Sequence, residues 1–345
     1  MVTATDPRQA TALLETRGLT KHFPIRQGLF GRTVGQVKAL DGIDLRIAGG
    51  QTVGLVGESG CGKSTLGRCL LRVHQPTAGE ILYRAPDGTP VDLAALDEQG
   101  LKPYRSQIRL IFQDPYSSLN PRMTLLQIVG EPLKVNLGLA RPEIEERVAE
   151  LLRRVGLRPE YMHRYPNAFS GGQRQRVGIA RALALSPRLV VADEAVSALD
   201  VSVRAQILNL LKDLQEESEL TYLFISHDLG VVEYMADEIA VMYVGRVVET
   251  GETDALYARP LHPYTEALLS AVPDPAPSSR RRERIVLRGE VADPSRVPSG
   301  CPFHPRCFYA QDRCKTEVPA LREIAPGRTA ACHFADQLQL RGVGE

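Results

Sequence analysis

One glycine-rich segment of the chain has the residue types and spacing needed to hold phosphate groups. Residues 57–64 read GESGCGKS, which matches the pattern G-x-x-x-x-G-K-S. A short apolar run ends just before this segment and leucines at helical spacing follow it, so the order predicts strand, loop and helix. In such a loop the backbone N–H groups converge on phosphate oxygens, with Lys63 placed for the β- and γ-phosphates and the Ser64 hydroxyl for Mg²⁺. The segment therefore predicts a nucleoside triphosphate site.

Two adjacent acids end a second apolar run. Residues 189–194 read LVVADE, which predicts a buried strand that carries Asp193 and Glu194 at its carboxyl end, the edge where open α/β sheets bind ligands. Asp193 would hold Mg²⁺ through its water, and Glu194 would polarise the attacking water as a general base. A pair of strand-end acids on its own is also typical of a helix cap beside a surface charge.

Strands and helices alternate along the central part of the chain and position both motifs. Apolar runs at residues 51–56, 189–192 and 222–225 predict strands, and apolar positions between 203 and 214 recur at helical spacing. This order predicts an α/β fold with a mostly parallel sheet covered on both faces. Between about residues 115 and 175 the periodicity is helical only, which predicts a helical insertion.

Changes of composition divide the chain into four parts. Residues 1–15 are polar and unpatterned and predict a flexible leader, and residues 16–272 predict the nucleotide-binding domain. Residues 273–284 combine prolines, serines and arginines, as linkers do. Residues 285–345 predict a small, distinct C-terminal segment, which contains four of the six cysteines.

Charge and hydropathy restrict the functional classes. Lys and Arg number 42 against 41 Asp and Glu in 345 residues, so no strong overall field favours nucleic acid or an anionic membrane. No run approaches the roughly 18 apolar residues of a membrane span. The first residues lack a basic stretch followed by an apolar one, so the expected compartment is the reducing cytosol. The cysteines are therefore not expected to form disulfides.

A third motif lies between the other two. Residues 169–176 read FSGGQRQR, and with them the chain resembles the ATP-binding cassette (ABC) family of transport ATPases. In that family this signature lies at a helix N-terminus, and its Ser and Gly donors close onto the γ-phosphate of ATP held by an opposite subunit. The resemblance implies that two such domains pair, and that a phosphate-loop NTPase core carries an N-terminal antiparallel β portion. On its own, SGGQ is also typical of a helix-capping turn.

Four further residues follow the order of the family over about residues 17–270. Gln113 is similar to the Q-loop glutamine that contacts Mg²⁺ or the water, and Asp200 to the D-loop aspartate that touches the partner subunit. His227 is similar to the switch histidine that contacts the γ-phosphate, and Phe23 to the aromatic residue that stacks on adenine. Taken singly, each is also compatible with an ordinary role as a loop residue, helix cap or core residue.

The resemblance implies a complete site for ATP and Mg²⁺. The implied catalytic residues are Glu194, His227 and Gln113. The implied nucleotide contacts are Phe23, Gly57, Ser59, Gly60, Gly62, Lys63, Ser64, Thr65, Asp193, Ser170, Gly172, Gln173 and Asp200. The implied Mg²⁺ ligands are Ser64, Gln113 and Asp193. Phe169 replaces a usual leucine and Ala195-Val196 a common Pro-Thr, and because neither change removes a polar catalytic group, hydrolysis is still expected.

Three longer strings indicate the kind of ABC protein. Residues 114–123, 260–273 and 298–307 resemble ATPase subunits of oligopeptide and dipeptide importers. The resemblance implies a peripheral subunit at the cytoplasmic face of the cell membrane that energises import of di- or oligopeptides. Its implied partners are a homologous ATPase, two transmembrane permease subunits and, indirectly, an extracytoplasmic peptide-binding protein, with no nucleic acid. The alternatives are an importer of nickel or another small solute, and a non-transport cassette ATPase.

Four cysteines lie close together near the C-terminus: Cys301, Cys307, Cys314 and Cys332. In a reducing compartment such a cluster favours a metal site. Zinc accepts four thiolates but usually has paired C-x₂₋₄-C knuckles, whereas a [4Fe–4S] cluster tolerates irregular loops. Similar segments in peptide importers carry such clusters, so a [4Fe–4S] cluster is predicted. The alternatives are zinc, with His304 and His333 as possible further ligands, and free thiols. Cys61 and Cys69 are expected to be small packed residues.

Overall fold

The computed structural model describes residues 12–28, 32–272 and 284–343. The chain forms two compact units, one that joins the residues up to Ala95 with those from Ser226 onward, and one formed by Leu96–Ile225. The predicted leader up to residue 11 and the predicted linker, apart from Arg284, lie outside the described residues. None of the helices within the described ranges is long and apolar enough to cross a membrane.

The first unit begins with an antiparallel sheet. Its first elements are β1 (Ala12–Gln27), β2 (Arg32–Ala48), β3 (Thr52–Val56), α1 (Lys63–Leu70), β4 (Ala78–Arg84) and β5 (Pro90–Asp92). The strands of the sheet follow the order β2-β1-β4-β5, and neighbouring strands pair antiparallel. Leu14 and Leu19 of β1 and Ile43 of β2 are fully buried. The predicted N-terminal antiparallel β portion is confirmed.

Strand β1 begins earlier than the sequence predicts. Residues 12–15 are expected to belong to a flexible leader, whereas in the structure they lie in β1. Leu13 and Leu14 are buried, and Leu14 lies opposite Ile47 of β2 and Tyr83 of β4. Burial of these leucines orders the segment through strands that are distant in the chain, so the local composition did not indicate it.

The second unit combines parallel strands with helices. Its elements are α2 (Glu98–Leu101), β6 (Ile108–Ile111), α3 (Leu125–Leu137), α4 (Arg141–Arg154), α5 (Gly171–Leu183), β7 (Leu189–Asp193), α6 (Val201–Ser218) and β8 (Thr221–Ile225). Strand β7 pairs in parallel with β6 on one side and β8 on the other. Every residue of β7 and β8 is buried, as expected for parallel strands covered on both faces. The predicted α/β class with mostly parallel pairing is confirmed.

Helices alone occupy the segment from α3 to α5. Thr124 caps α3 and shares a capping box with Gln127, so this helix start is specified locally. Helix α4 buries the apolar stripe formed by Ile144, Val148 and Leu152. The helical segment continues past the predicted end near residue 175, because α5 runs from Gly171 to Leu183.

The first unit resumes after the second and includes the C-terminal segment. Its remaining elements are α7 (Leu229–Met235), β9 (Glu238–Tyr243), β10 (Arg246–Glu252), α8 (Thr253–Ala258), α9 (Pro263–Leu269), α10 (Asp312–Thr316), β11 (Arg322–Ala325) and β12 (Arg328–Ala330). Strand β9 pairs in parallel with β3, and the sheet continues antiparallel through β10, β12 and β11. The segment predicted as distinct therefore extends the sheet that leads into the phosphate loop. Its edge pairing joins residues distant in the chain, which local patterns do not specify.

Candidate functional site

The glycines of residues 57–64 adopt backbone conformations that other residues avoid. The loop follows β3 directly, and φ is +152° at Gly57 and +110° at Gly62. A Cβ atom at Gly57 would lie 2.2 Å from the carbonyl oxygen of Met242, and one at Gly62 would lie 2.3 Å from that of Ala39. Glycine is therefore required at both positions, by conformation and by the close approach of neighbouring backbone.

Helix α1 begins directly after the loop, at the place expected for a phosphate-binding helix N-terminus. The first backbone N–H groups of a helix have no acceptor within it and carry positive potential, so they attract anions. Ser64 and Thr65 lie half-buried in this first turn, whereas Ser59 and Gly60 are exposed in the loop. The first turn therefore offers both hydroxyl and backbone donors.

Lys63 is buried against the loop that precedes it. The residue is 5% exposed, and its ammonium donates to the carbonyl oxygens of Gly57 at 2.6 Å and Glu58 at 3.0 Å. Its Nζ also lies 3.7 Å from Sγ of Cys61, a thiol whose pKa is raised by burial. Cys61 and Cys69 are both buried, as predicted for small packed residues. A cation held over the loop in this way suits phosphate oxygens.

The strand-end acids of the second unit contact a residue from a neighbouring strand. Asp193 ends β7 and is 7% exposed, and Glu194 follows with a left-handed backbone, φ +47°. The Glu194 N–H donates to the carbonyl oxygen of Ile225 at 2.9 Å. Gln113, just past the end of β6, donates from Nε2 to Oε2 of Glu194 at 2.7 Å. Two of the predicted catalytic residues, 81 positions apart, therefore meet beyond the carboxyl ends of parallel strands.

The segment that reads SGGQ forms the start of α5. The Gln173 N–H donates to Oγ of Ser170 at 3.3 Å, and the Ser170 N–H donates to Oε1 of Gln173 at 3.1 Å. These reciprocal bonds make a capping box. Gly172 lies so close to α6 that a Cβ atom would be 2.4 Å from Cγ1 of Val203. Ser170 itself is exposed, so the start of α5 lies at a surface of the unit.

Comparisons with known proteins identify the family. The profile of the ABC transporter family matches residues 40–197, which include the phosphate loop, the signature segment and the strand-end acids. The chain is 52% identical over 324 residues to the oligopeptide transport ATP-binding protein AppF of Bacillus subtilis, with 93% of this chain and 97% of that protein aligned. The chain belongs to the ABC transporter ATPases. A second profile, for the C-terminal region of oligopeptide/dipeptide transporters, matches residues 248–314 of this ABC ATPase.

A further relative and a solved structure agree with the family. This ABC ATPase is 50% identical over 329 residues to the dipeptide transport ATP-binding protein DppF of Haemophilus influenzae, with 95% of this chain and 98% of that protein aligned. The ATP-binding cassette MJ0796, solved as a dimer in a post-hydrolysis state with ADP and phosphate, matches with a TM-score of 0.60 at 30% identity. That match covers 70% of this chain and 98% of the solved chain. The predicted phosphate-loop fold and ATPase activity are confirmed.

The other predicted site residues of this ABC ATPase are at least partly exposed. Phe23 in β1 is half-buried, with its ring 5.5 Å from the ring of His74 in an edge contact and 4.9 Å from Nζ of Lys21. His227 is exposed and directly precedes the residue that caps α7. Asp200 is exposed at the N-cap position of α6. All three side chains are therefore accessible for contacts.

Both departures from the family pattern are accommodated by packing. Phe169 is 6% exposed and its ring meets that of Tyr161 edge-on, with 5.5 Å between the centroids. Ala195 and Val196 are 1% and 3% exposed. All three side chains are buried and apolar, so neither departure leaves a polar group in the core.

The C-terminal cysteines line one small cavity of the first unit. Its volume is about 20 Å³, and its lining includes Cys301, Cys307, Cys314, Cys332, His304 and His333. Burial raises the pKa of Cys301 to about 11 and that of Cys307 to about 12. Within residues 12–28, 32–272 and 284–343, no group of three or more His, Cys, Asp or Glu is arranged to hold a metal ion. The side-chain arrangement therefore does not support the predicted [4Fe–4S] cluster.

A buried charged network in the first unit was missed by the sequence analysis. Glu249 of β10 is fully buried, and its carboxylate accepts from the N–H groups of Leu261 at 2.8 Å and His262 at 2.9 Å. Burial raises the pKa of Glu249 to about 7 and lowers that of His262 to about 3. Arg328 of β12 lies 3.4 Å from the same carboxylate, so the network ties the C-terminal segment to β10. Its only sequence signal was an acid directly after two valines, in residues 247–249.

Proposed function

We propose that this ABC ATPase is the ATP-hydrolysing subunit that energises import of di- or oligopeptides through a membrane transporter. The observation that carries the proposal is the match of residues 248–314 to the C-terminal region of oligopeptide/dipeptide transporters. AppF and DppF, which are named for oligopeptide and dipeptide transport, align with 93% and 95% of the chain. The proposed location is the cytoplasmic face of the membrane, where ATP is available.

Glu194 is proposed as the general base of hydrolysis. The bond from Gln113 Nε2 holds the carboxylate in one orientation and leaves Gln113 Oε1 as an acceptor for the attacking water. The left-handed backbone of Glu194 is strained for a residue with a Cβ atom, a feature that is enriched at functional sites. When bound, Mg²⁺ would neutralise phosphate charge, and the oxygen donors of Ser64, Gln113 and Asp193 are the type it prefers.

The nucleotide is proposed to bind along the first unit. Phe23 is the candidate for stacking on adenine because its ring is partly accessible. The phosphate chain is proposed to be held by residues of the loop and α1: Gly57, Ser59, Gly60, Gly62, Lys63, Ser64 and Thr65. His227, exposed just before α7, is proposed to contact the γ-phosphate. These residues supply donors and positive charge to an anionic ligand.

Pairing with a homologous ATPase is proposed because the signature segment faces outward. Ser170, Gly172 and Gln173 form the N-terminal turn of α5, whose exposed end suits phosphate held by another subunit. Asp200 is exposed as well and is proposed to touch the same partner. The solved cassette MJ0796 is a dimer with ADP and phosphate, which supports a paired arrangement. Two permease subunits and an extracytoplasmic peptide-binding protein complete the proposed assembly.

Hydrolysis is expected to depend on that assembly, because each signature segment acts on nucleotide held by the other subunit. The purified chain should release phosphate slowly, and adding the partner ATPase and the permease subunits in liposomes should raise the rate steeply. Binding protein loaded with di- or oligopeptide should raise it further and should deliver labelled peptide into the liposomes. The same assay without one subunit serves as the control.

Two outcomes would contradict this proposal. Stimulation and uptake with nickel or another small solute, but with none of a panel of peptides, would assign the subunit to a different importer. A monomer that is fully active at every protein concentration would exclude pairing and favour a non-transport cassette ATPase.

The cysteine-lined cavity is proposed to hold the [4Fe–4S] cluster. What supports this is the donor set: four thiols line one cavity, and no carboxylate is found in its described lining. A cavity of about 20 Å³ holds about one water molecule, so the cysteines would have to move apart to admit a cluster. A single zinc ion needs less room, which makes zinc the alternative to be tested.

Anaerobically purified protein is expected to be brown, with broad absorbance near roughly 400 nm from charge transfer to iron. Cys307→Ser should remove the colour and the bound iron, whereas Cys69→Ala, which alters a buried thiol outside the cavity, should keep both. Iron, sulfide and zinc analyses give the stoichiometry. Colourless protein with one equivalent of zinc would assign the site to zinc, and four freely alkylated thiols would exclude both metals.

A further inference from the structure

Glu58, in the phosphate loop, has all its polar groups engaged. Its N–H donates to the hydroxyl of Tyr264 at 2.8 Å, and its carbonyl oxygen accepts from Lys63 at 3.0 Å. Its carboxylate accepts two bonds from Arg306, from Nη1 to Oε2 at 2.6 Å and from Nη2 to Oε1 at 3.0 Å. Arg306 therefore binds the side chain of a loop residue whose backbone N–H and carbonyl are bonded as well.

Arg306 comes from the cysteine-containing segment, 248 residues away in sequence. Its side chain is 7% exposed and that of Glu58 is 27% exposed, so water screens the pair only partly. The Arg306 guanidinium is charged, and hydrogen bonding to Glu58 raises its pKa above the usual value. The two parallel bonds fix both distance and orientation, as a single bond from lysine would not.

Arg306 lies in the chain between two cysteines that line the cavity. A short 3₁₀ helix, His304–Arg306, runs between Cys301 and Cys307. The His304 N–H donates to the carbonyl oxygen of Cys301 at 3.0 Å, and the Cys307 N–H to that of His304 at 3.3 Å. Phe303, buried beside this helix, packs its ring on that of Tyr264, the residue that binds the Glu58 amide. A displacement of Cys301 or Cys307 would therefore change the loop through two sets of contacts. One is the pair of bonds from Arg306 to the Glu58 carboxylate, and the other runs through Phe303 and Tyr264 to the Glu58 amide.

We propose that Arg306 is a positioning residue for nucleotide binding. Through Arg306, the positions of the cysteines that line the cavity set the affinity of the phosphate loop for ATP. The inference rests on the nucleotide site assigned to residues 57–64. Glu58 lies between Gly57 and the rest of the loop, and its carbonyl binds Lys63. When the Glu58 carboxylate is released, the loop populates conformations in which its N–H groups no longer converge on phosphate. The apparent affinity for ATP then falls in proportion to the fraction of molecules whose loop can still bind.

The first test measures ATP affinity of the full chain and the KM and kcat of the assembled transporter. Arg306→Met should weaken ATP binding by about tenfold and raise KM, with kcat at saturating ATP within about twofold, because only the loop conformation changes. Arg306→Lys should restore part of the affinity, and Glu58→Gln should reproduce the loss. The double variant should bind no more weakly than either single one. Arg313→Met, which breaks an exposed pair with Glu317 in the same segment, is the matched control.

The second test connects the cavity to the loop. Cys307→Ser should weaken ATP binding in the otherwise native chain but add nothing in the Arg306→Met background, because both changes act through one ion pair. Equal losses in the two backgrounds would overturn the link to the cavity. Unchanged ATP affinity in Arg306→Met and Glu58→Gln, with Lys63→Ala still defective, would overturn the inference and leave the nucleotide site intact. Unchanged affinity in all three would contradict that site as well.

If Arg306→Met does not fold, as judged by circular dichroism and thermal unfolding, Glu58→Gln decides the question. That change removes one charge at the loop and keeps an acceptor for the guanidinium, so it disturbs the C-terminal segment least. A folded Glu58→Gln variant with native KM would overturn the proposal. A raised KM with unchanged kcat and unchanged unfolding temperature would support it.

Discussion

Replacing Glu194 with glutamine is expected to lower ATP turnover of the assembled transporter by about a hundredfold or more, while ATP binding persists. Glutamine has nearly the same shape and can still accept a bond from Gln113 through its amide oxygen. It cannot take a proton from the attacking water, so the loss should lie in kcat. Phosphate release at saturating ATP measures turnover, and equilibrium binding measures affinity.

A matched change elsewhere on the second unit separates this effect from a general loss of charge. Glu217→Gln alters an exposed carboxylate at the end of α6, which pairs with Arg154, and should leave turnover unchanged. Gln113→Ala should lower turnover less than Glu194→Gln, because it removes the group that orients the base and leaves the base itself. A Glu194→Gln transporter that hydrolyses ATP at the normal rate would show that another residue is the base.

Replacing Lys63 with alanine is expected to weaken ATP binding by about a hundredfold, because two charge-assisted bonds to phosphate oxygens are lost. The lysine is buried against the loop and bonded to the carbonyl oxygens of Gly57 and Glu58, so its ammonium is already held at the proposed phosphate site. Titration of the full chain with ATP and Mg²⁺ by calorimetry measures the change.

Two controls accompany the Lys63 variant. Lys315→Ala removes an exposed lysine that pairs with Asp312, and its ATP affinity should match that of the native chain. Thermal unfolding of the Lys63→Ala protein without nucleotide establishes that the loop variant is folded. Native ATP affinity in a folded Lys63→Ala protein would count against the assignment of residues 57–64 as the phosphate loop.

Features defined by residues close together in the chain were predictable. The phosphate loop, the following helix and the apolar strand before Asp193 each depend on a few consecutive residues. The start of α5 was indicated by Ser170 and Gln173, three positions apart, because a capping box is a local structure. The residues assigned to the nucleotide site were also predictable, because their motifs follow one another along the chain in the order of the family.

Features that join distant parts of the chain were not predictable from composition or spacing. The ordering of residues 12–15 depends on Leu14 lying between β2 and β4. The buried carboxylate of Glu249 is stabilised by backbone donors that only the folded loop supplies. The cysteine spacing suggested a metal site, whereas the folded arrangement gives a small cavity lined by the thiols.

By itself, the sequence determined the class of fold, the ABC family and the candidate residues for ATP, because these follow from short motifs and their order. Only the tertiary structure decided that Gln113 donates to Glu194 and that Arg306 forms two hydrogen bonds to Glu58, 248 residues away in the chain. It also decided that the C-terminal segment extends the sheet of the first unit through the pairing of β12 with β10. The physical reason is that such pairs form where strand register and burial bring side chains within hydrogen-bond reach, and both are properties of the whole packed chain.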